Sequence, residues 1–247
     1  MTIVLRAAVA PAEWDRFVFW HKDGWVWWLT SWLDYLQASG RQDKSMAELD
    51  ESGHVIGICP CLLPVPADDP LPAPLGHDWV VDWPTRGQPQ RKQTASGFHT
   101  RVIDLSLPET DLWRDLRRSS HALIHRAAES YSVTVAPNLD GLYSLYHQRP
   151  DLPQINNDCW HQLGKLHRAG ILRVYEATDL IGDLVGATGV YLWKRHAYYG
   201  HGRALCGNGV SHLLQWAIIK ALKAEGWPWY EVGWEAKDGD DEKAKQI

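Results

Sequence analysis

The stretch from His196 to Trp234, "HAYYGHGRALCGNGVSHLLQWAIIKALKAEGWPWYEVGW", leaves this chain few choices of fold. From Val210 the apolar residues Leu213, Leu214, Ala217, Ile218, Ala221 and Leu222 recur at helical spacing, with Lys220, Lys223 and Glu225 on the other side. Asn208 or Ser211 can cap the start, and Gly226 stands where a left-handed C-terminal cap belongs. The flanking aromatic runs "HAYYGHGRA" and "WYEVGW" read as strands, so the helix is a crossover that feeds the last strand.

Upstream, "ILRVYEAT" and "LVGATGVYLW" read as two more strands. The turn "DLIGD" separates them, and Lys194-Arg195 separates the second from "HAYYGHGRA", which predicts an antiparallel meander of three. Before it come a helix around Leu112–Ser130, a strand "SVTVAP", and helical segments near Leu139–Gln148 and Asp158–Arg168. The N-terminal half repeats part of this plan. Helical "AEWDRFVFW" and "SWLDYLQASG" precede "SMAELD", a turn "ESGH" and a strand "VIGICPCLLPV". The "VIG" and "LVG" strands each follow a polar turn, a weak internal repeat that suggests two copies of one fold. Between the halves lies a proline-rich loop over 64–97, longer than an ordinary connection.

A chain of 247 residues accommodates one large domain or two modest ones. Its 15 tryptophans against 3 phenylalanines must in large part line a core or a cleft, since so many exposed indoles would form adhesive patches. A formal charge of −5 argues against a generic nucleic-acid binder, while leaving room for a local basic groove. Cys59, Cys61, Cys159 and Cys206 make no C-x-x-C pair, which points to a reducing compartment. The start "MTIVLRAAVAPAEWDRF" has no signal-peptide core, and no apolar run approaches the ~18 residues that cross a bilayer. The expectation is a cytoplasmic protein with no transmembrane segment.

Several motifs are weaker than they look. In "GRALCGNGVSHLL" the glycines precede a helix N-terminus, a natural phosphate seat. The GNAT acyltransferases hold coenzyme A with R/Q-x-x-G-x-G/A; here Arg203, Gly207 and Gly209 are spaced one residue too far, and a capped loop is the plainer reading. "GVSHL" is no nucleophile elbow, because Leu213 replaces the second glycine and no histidine follows His212. His121 and His125 have zincin spacing without the glutamate or a third ligand, so no metal is expected. Cys59 and Cys61 alternate along a strand and read as buried small residues.

Two patterns remain. Arg114, Arg117, Arg118, His121 and His125 form a basic stripe on one helix, and residues 86–126 carry eight Lys/Arg against four Asp/Glu. That is either a solvated face or a contact for phosphate. In "AYYGHGR", His196, Tyr198 and Gly200 share one side of a strand and Tyr199 and His201 the other. If the sheet splays beside this strand, its free backbone groups can hold an extended donor and the tyrosines can orient or protonate a leaving group; half-buried packing explains the alternation equally well.

Taken in order, "GHVIGICPCLLP", "LRRSSHALIHRAAESYSVTV", "LVGATGVYLWKRHAYYGHGRA" and "VSHLLQWAIIKALKAEGWPWYEVGW" resemble the FemAB-type family, the peptidoglycan-bridge aminoacyltransferases and their relatives. The resemblance implies an α/β fold, an α+β mixed sheet in two GNAT-like lobes with the N-terminal one reduced, here 1–105 and 106–247. It implies transfer of an acyl or aminoacyl group to an amine of a cell-envelope or glycan precursor, in peptidoglycan or polysaccharide synthesis. The donor is aminoacyl-tRNA or acyl-CoA with no tightly bound cofactor, and the acceptor is nucleotide- or lipid-linked, with peripheral membrane contact. The alternatives are a coenzyme A-dependent N-acyltransferase and an inactive GNAT-like binding protein.

Tyr199, His201 and Glu231, the last as a base relay, are the expected catalytic residues. Arg117, Arg118, His121, Tyr198 and Arg203 are the expected substrate contacts. Where the family pattern ends in a basic, glycine-rich segment, this sequence reads "DGDDEKAKQI", which points to a chain truncated at Ile247 or lacking that element. The paired helices that the family inserts for tRNA have no counterpart either.

Overall fold

The computed structural model describes residues 2–22, 24–63, 92–93 and 98–236. Apart from Lys92 and Gln93, the proline-rich loop expected at 64–97 lies outside the described residues. The chain opens with β1 (Thr2–Leu5), α1 (Pro11–Trp20), α2 (Thr30–Ala38), β2 (Gln42–Asp43), β3 (Met46–Leu49), β4 (Val55–Cys59) and β5 (Leu62–Leu63). It continues through β6 (Lys92–Gln93), β7 (Phe98–Asp104), α3 (Glu109–Arg114), α4 (Arg118–Ala128), β8 (Tyr131–Val135), α5 (Asp140–His147) and α6 (Asn157–Arg168). The meander and crossover follow as β9 (Leu172–Asp179), β10 (Leu184–Trp193), β11 (His196–Ala204), α7 (Val210–Ala224) and β12 (Trp229–Ala236).

Two compact units divide the chain, Met1–Trp79 with Ile155–Ala169, and Val80–Gln154 with Gly170–Ile247. This differs from a single cut at residue 105 in two places. Strand β7 pairs with β12 and so belongs to the second lobe. Helix α6 packs on α2 and so belongs to the first, with Asn156 as the fastener of that packing. Its side-chain oxygen accepts from Cys159 N at 2.8 Å, capping α6, while its Nδ2 donates to Ala38 O at 2.9 Å at the end of α2.

In the first lobe a three-stranded antiparallel sheet, β1-β3-β4, accompanies α1, α2 and α6. Trp14 and Val18 on α1, Leu33 and Leu36 on α2, and Cys159, Trp160, Leu163 and Leu166 on α6 are buried. Trp14 is fully enclosed, and its Nε1 donates to Trp28 O at 2.7 Å, so the indole is buried with its one donor satisfied. The expected strand 55–65 is two strands broken at Pro60, which cannot donate to a ladder. Cys59 is consequently exposed and Cys61 lies between the strands, correcting the reading of both as buried neighbours on one face.

The second lobe is a seven-stranded mixed sheet in the order β6-β7-β12-β11-β10-β9-β8. Helices α4 and α7 cover one face. Val210, Leu214, Ile218 and Leu222 of α7 and Ile124 and Ala127 of α4 pack there with Tyr175, Val190, Ala197 and Tyr230 of the sheet. Helix α5 lies against β9, β10 and β11 on the other face, where Arg203 reaches Tyr146. The expected helix over 112–130 is two helices, because Arg117 is extended (φ −56°, ψ 139°) and starts α4 afresh. The five-residue basic stripe is thereby split: Arg114 ends α3, where it pairs with Asp111 at 2.9 Å.

Helix α7 begins after Gly209 rather than at a side-chain cap on Asn208 or Ser211. Gly209 has φ +84°, and a Cβ there would stand 2.5 Å from Leu123 O of α4, so the glycine is needed both for its conformation and for the approach of the two helices. Gly226, at φ +81°, has open space within 4 Å of where a Cβ would stand. Gly226→Ala should therefore cost about 1–2 kcal/mol of stability from the left-handed conformation alone. Gly209→Ala should cost roughly 1–3 kcal/mol more through overpacking. Urea unfolding of the two variants checks this; equal losses would mean that α4 yields freely.

Candidate active site

Strands β11 and β12 start side by side and parallel, with His196 opposite Trp229, Ala197 opposite Tyr230 and Tyr198 opposite Glu231. The pairing stops there, although β11 runs to Ala204 and β12 to Ala236. Past that point β11 stays with β10 and β12 stays with β7, so the sheet opens between them. The β12-facing edge of β11 from Tyr199 onward has no strand partner among the described residues. Exposed backbone donors and acceptors on such an edge can hold an extended ligand.

A β-bulge lies beside the opening. Val190 faces Tyr199 and Thr188 faces Gly202, so two residues of β11, Gly200 and His201, stand against Gly189 alone. A strict alternation places Tyr199 and His201 together; the bulge overturns this. Tyr199 and Gly202 share the face toward α7, while the His201 ring lies 6.1 Å from that of Tyr191, edge to face. Glycine at 200 and 202 makes room for tyrosine rings. A Cβ at 200 would stand 2.3 Å from Tyr191 Cε2, and one at 202 would stand 2.5 Å from the Tyr199 hydroxyl.

On the α7 side of β11 lies a cleft of about 110 Å³. Thr188, Tyr199, Gly202, Arg203 and Ala204 line it from the strands, and Ser211, Leu214 and Gln215 from the helix. Gln215 Oε1 accepts from the Tyr230 hydroxyl at 2.8 Å, which ties α7 to β12. Of the residues expected in the site, the structure brings Tyr199 and Arg203 together here. The Arg203 guanidinium rests 4.0 Å over the Tyr146 ring and its Nη2 donates to Pro153 O at 2.7 Å, so α5 and the following loop fix its position.

The other expected residues lie elsewhere in the lobe. Glu231 is 9% exposed, with His196 Nε2 3.7 Å from its carboxylate, and His196 stacks on Tyr198 at 4.4 Å. Arg117 and Arg118 are exposed at the start of α4. His121 stacks on Trp113 at 4.5 Å, with Nε2 2.8 Å from Trp113 O, and so stitches α4 to α3. Thr188, Ser211 and Gln215 were not among the expected contacts. Only Gln215 had a sequence signal, as an amide between Leu214 and Trp216 in an otherwise apolar run.

Burial sets the titration of the site. It raises the Tyr199 phenol, against a smaller opposing pull from Arg203, and raises Tyr230 well above the ordinary tyrosine value. It pushes the His201 imidazole down to about 4. At neutral pH both Tyr199 and His201 are therefore uncharged. Among the described residues no three or more His, Cys, Asp or Glu gather as a metal site, and no helix is long and apolar enough to cross a membrane.

No sequence-family profile and no curated protein matches the chain. Among solved structures, "Crystal structure of FemX" superposes with a TM-score of 0.64 at 13% identity, covering 98% of this chain and 91% of that one. A "Tandem GNAT protein from the clavulanic acid biosynthesis pathway (without AcCoA)" gives 0.45 at 14% identity, covering 97% and 91%. "The structure of L-PGS from Bacillus licheniformis" gives 0.43 at 13%, covering 58% of this chain and 50% of that one. The FemX match shows a shared fold: a two-lobed, GNAT-like mixed α/β architecture whose first lobe has the smaller sheet.

The depressed His201 value has a measurable consequence. As pH falls below about 6.5 the unfolded chain takes up a proton that the folded protein refuses, so stability present above that pH is lost progressively down to about 4. The loss is at most roughly 3–4 kcal/mol. In His201→Gln the stability measured by urea unfolding should fall less steeply across that window; an unchanged slope would place the acid sensitivity on other groups.

Proposed function

We propose that this chain is an acyl- or aminoacyltransferase that acts on an amine of a cell-envelope or glycan precursor. The observation that carries the proposal is the divergence of β11 and β12 after Tyr198 and Glu231, beside a cleft that holds a protonated tyrosine. Such an opening gives a donor an edge to lie along and an acceptor a place to meet it. The shared fold with FemX and the resemblance of the sequence to the FemAB-type family support the same reading.

The acceptor amine attacks the ester or thioester carbonyl of the donor, and N–H groups on the open edge of β11 stabilise the oxyanion. Tyr199, held in its phenol form by burial, donates a proton or hydrogen bond to the leaving oxygen or sulfur. His201 is neutral and too weakly basic to deprotonate an ammonium efficiently, so its role is a hydrogen bond near the bulge. Glu231, with His196 beside it, is the proposed base relay, and Tyr198 holds His196 in place by stacking. Arg117 and Arg118, with His121 behind them, are proposed to meet the diphosphate of a nucleotide- or lipid-linked acceptor. Two arginines at a helix start without an acidic first turn oppose the helix dipole, and a phosphate would relieve that.

The donor is aminoacyl-tRNA or acyl-CoA, and one feature favours the second. No carboxylate lines the cleft, so an aminoacyl α-ammonium would find no counter-ion there. Incubation of the protein with charged tRNA or acyl-CoA and a panel of amine acceptors should consume one donor and form an amide. If neither is consumed with any acceptor, the chain is a binding protein that keeps the fold. Tyr199→Phe should lower kcat by about 10²-fold. Arg117→Ala with Arg118→Ala should raise KM for a diphosphate-bearing acceptor about tenfold, roughly one lost charge-assisted contact, with kcat nearly unchanged. An unmoved KM would leave that pair a solvated face.

A further inference from the structure

We infer that two copies of this chain pair through β8, the outer strand of the seven-stranded sheet, in antiparallel register about a two-fold axis at Val133. Strand β9 holds the inner edge of β8, with Tyr131 opposite Asp179 and Val135 opposite Tyr175. Among the described residues no strand pairs with the outer edge. The pairing stands apart from the transferase reading, since it can be measured with no reaction taking place.

Backbone parity decides which groups the outer edge presents. Just past the strand, Ala136 N donates to Val174 O at 2.9 Å, so these two residues form an inward hydrogen-bonded pair. Such pairs alternate along an antiparallel ladder. Ser132 and Thr134 therefore bond to β9, and the N–H and C=O groups of Tyr131, Val133 and Val135 point outward. A two-fold axis at Val133 sets that residue against its own copy and Tyr131 against Val135 of the second copy. Every outward N–H then faces an outward C=O, so the partial charges along the edge are self-complementary, as an isologous contact requires. A register shifted by one residue would set outward groups against inward ones and lose the ladder.

The side chains suit the same register. Tyr131 and Val133 pack against the core formed with α4 and α7, while Val135 on that face is 54% exposed. Pairing lays the second copy's Tyr131 beside it, a favourable aromatic and β-branched cross-strand pair. On the other face the exposed Ser132 and Thr134 come opposite one another. The turn after β9 ends beside Tyr131 and carries Leu180 and Ile181, 84% and 83% exposed, where the second copy's Val135 arrives. Edges that stay single are commonly blunted by charge, proline or a bulge. Tyr131–Val135 has no charged residue and no proline, and its register with β9 runs unbroken, so nothing repels a like strand. A five-residue pairing buries well under the roughly 1,200 Å² of a standard interface, so the dimer is weak and its population rises with concentration.

Sedimentation of the full chain, from low to high micromolar concentration, should show a mass that doubles. Over the same range the amides of Val133 and Val135 should pass from fast to slow hydrogen exchange, while those of Ser132 and Thr134, bonded to β9, stay slow throughout. Val135→Pro removes an outward donor and leaves the β9 ladder whole, so this variant should be monomeric at every concentration. Ser132→Lys with Thr134→Lys sets lysines opposite one another in the dimer alone and should do the same, which decides the matter if Val135→Pro does not fold. A wild-type chain that stays monomeric at the top of the range would overturn the pairing. So would a dimer that survives in either folded variant, or a Val133 amide protected at all concentrations, as when this chain's own residues cover the edge.

Discussion

The structure of the second lobe turns on how little of β12 is paired to β11. Only three residue pairs join them before they part. Two parallel strands need a crossover between them, and α7 supplies it, burying seven side chains. Each strand also has a stronger commitment on its outer edge: β11 has seven registered pairs to β10, and β12 has six to β7. Among the interior seams of the sheet the short parallel contact has the fewest pairs, and α7 braces it through the Tyr230–Gln215 hydrogen bond. Opening at this seam leaves both halves of the sheet intact, which is why a packed lobe can keep a slot in its middle.

Much of this was legible in the sequence. The meander, its two turns, the crossover helix and the last strand follow from periodicity and turn residues, and β9, β10, β11 and α7 lie where those signals put them. Strand β7 was not legible, because "FHTRVID" has no distinctive neighbours and its identity as a strand depends on β12, over a hundred residues away. The break between α3 and α4 was hidden for the opposite reason. Leu112, Leu116, Leu123 and Ala127 keep near-helical spacing across it, and only the extended Arg117 backbone interrupts them.

The site was legible in part. Tyr199 and Arg203 reach one cleft, but plain alternation assigns His201 the wrong neighbour, because a bulge shifts every later side chain by one face. The glycines at 200 and 202 were the available signal, since a strand with two of them has places where a ring or a bulge belongs. The domain division was harder to see. Asn156 reads as an ordinary helix cap, and its second bond, to the carbonyl of Ala38 more than a hundred residues earlier, is what assigns α6 to the first lobe.

One cause, burial, acts on the site in two directions. It holds Tyr199 and Tyr230 protonated and His201 unprotonated, so all three are neutral where they would otherwise titrate toward charge. The Arg203 guanidinium is directed to the α5 side of the sheet, where Tyr146 and Pro153 O engage it. A group entering the cleft meets hydroxyls and an amide, and no carboxylate. That environment favours a carbonyl whose oxygen gains negative charge during reaction over one that carries positive charge on arrival. In the reaction proposed above, a tyrosine that resists ionisation is suited to the donor's part, and the proposed base, Glu231, lies outside the cleft beside His196.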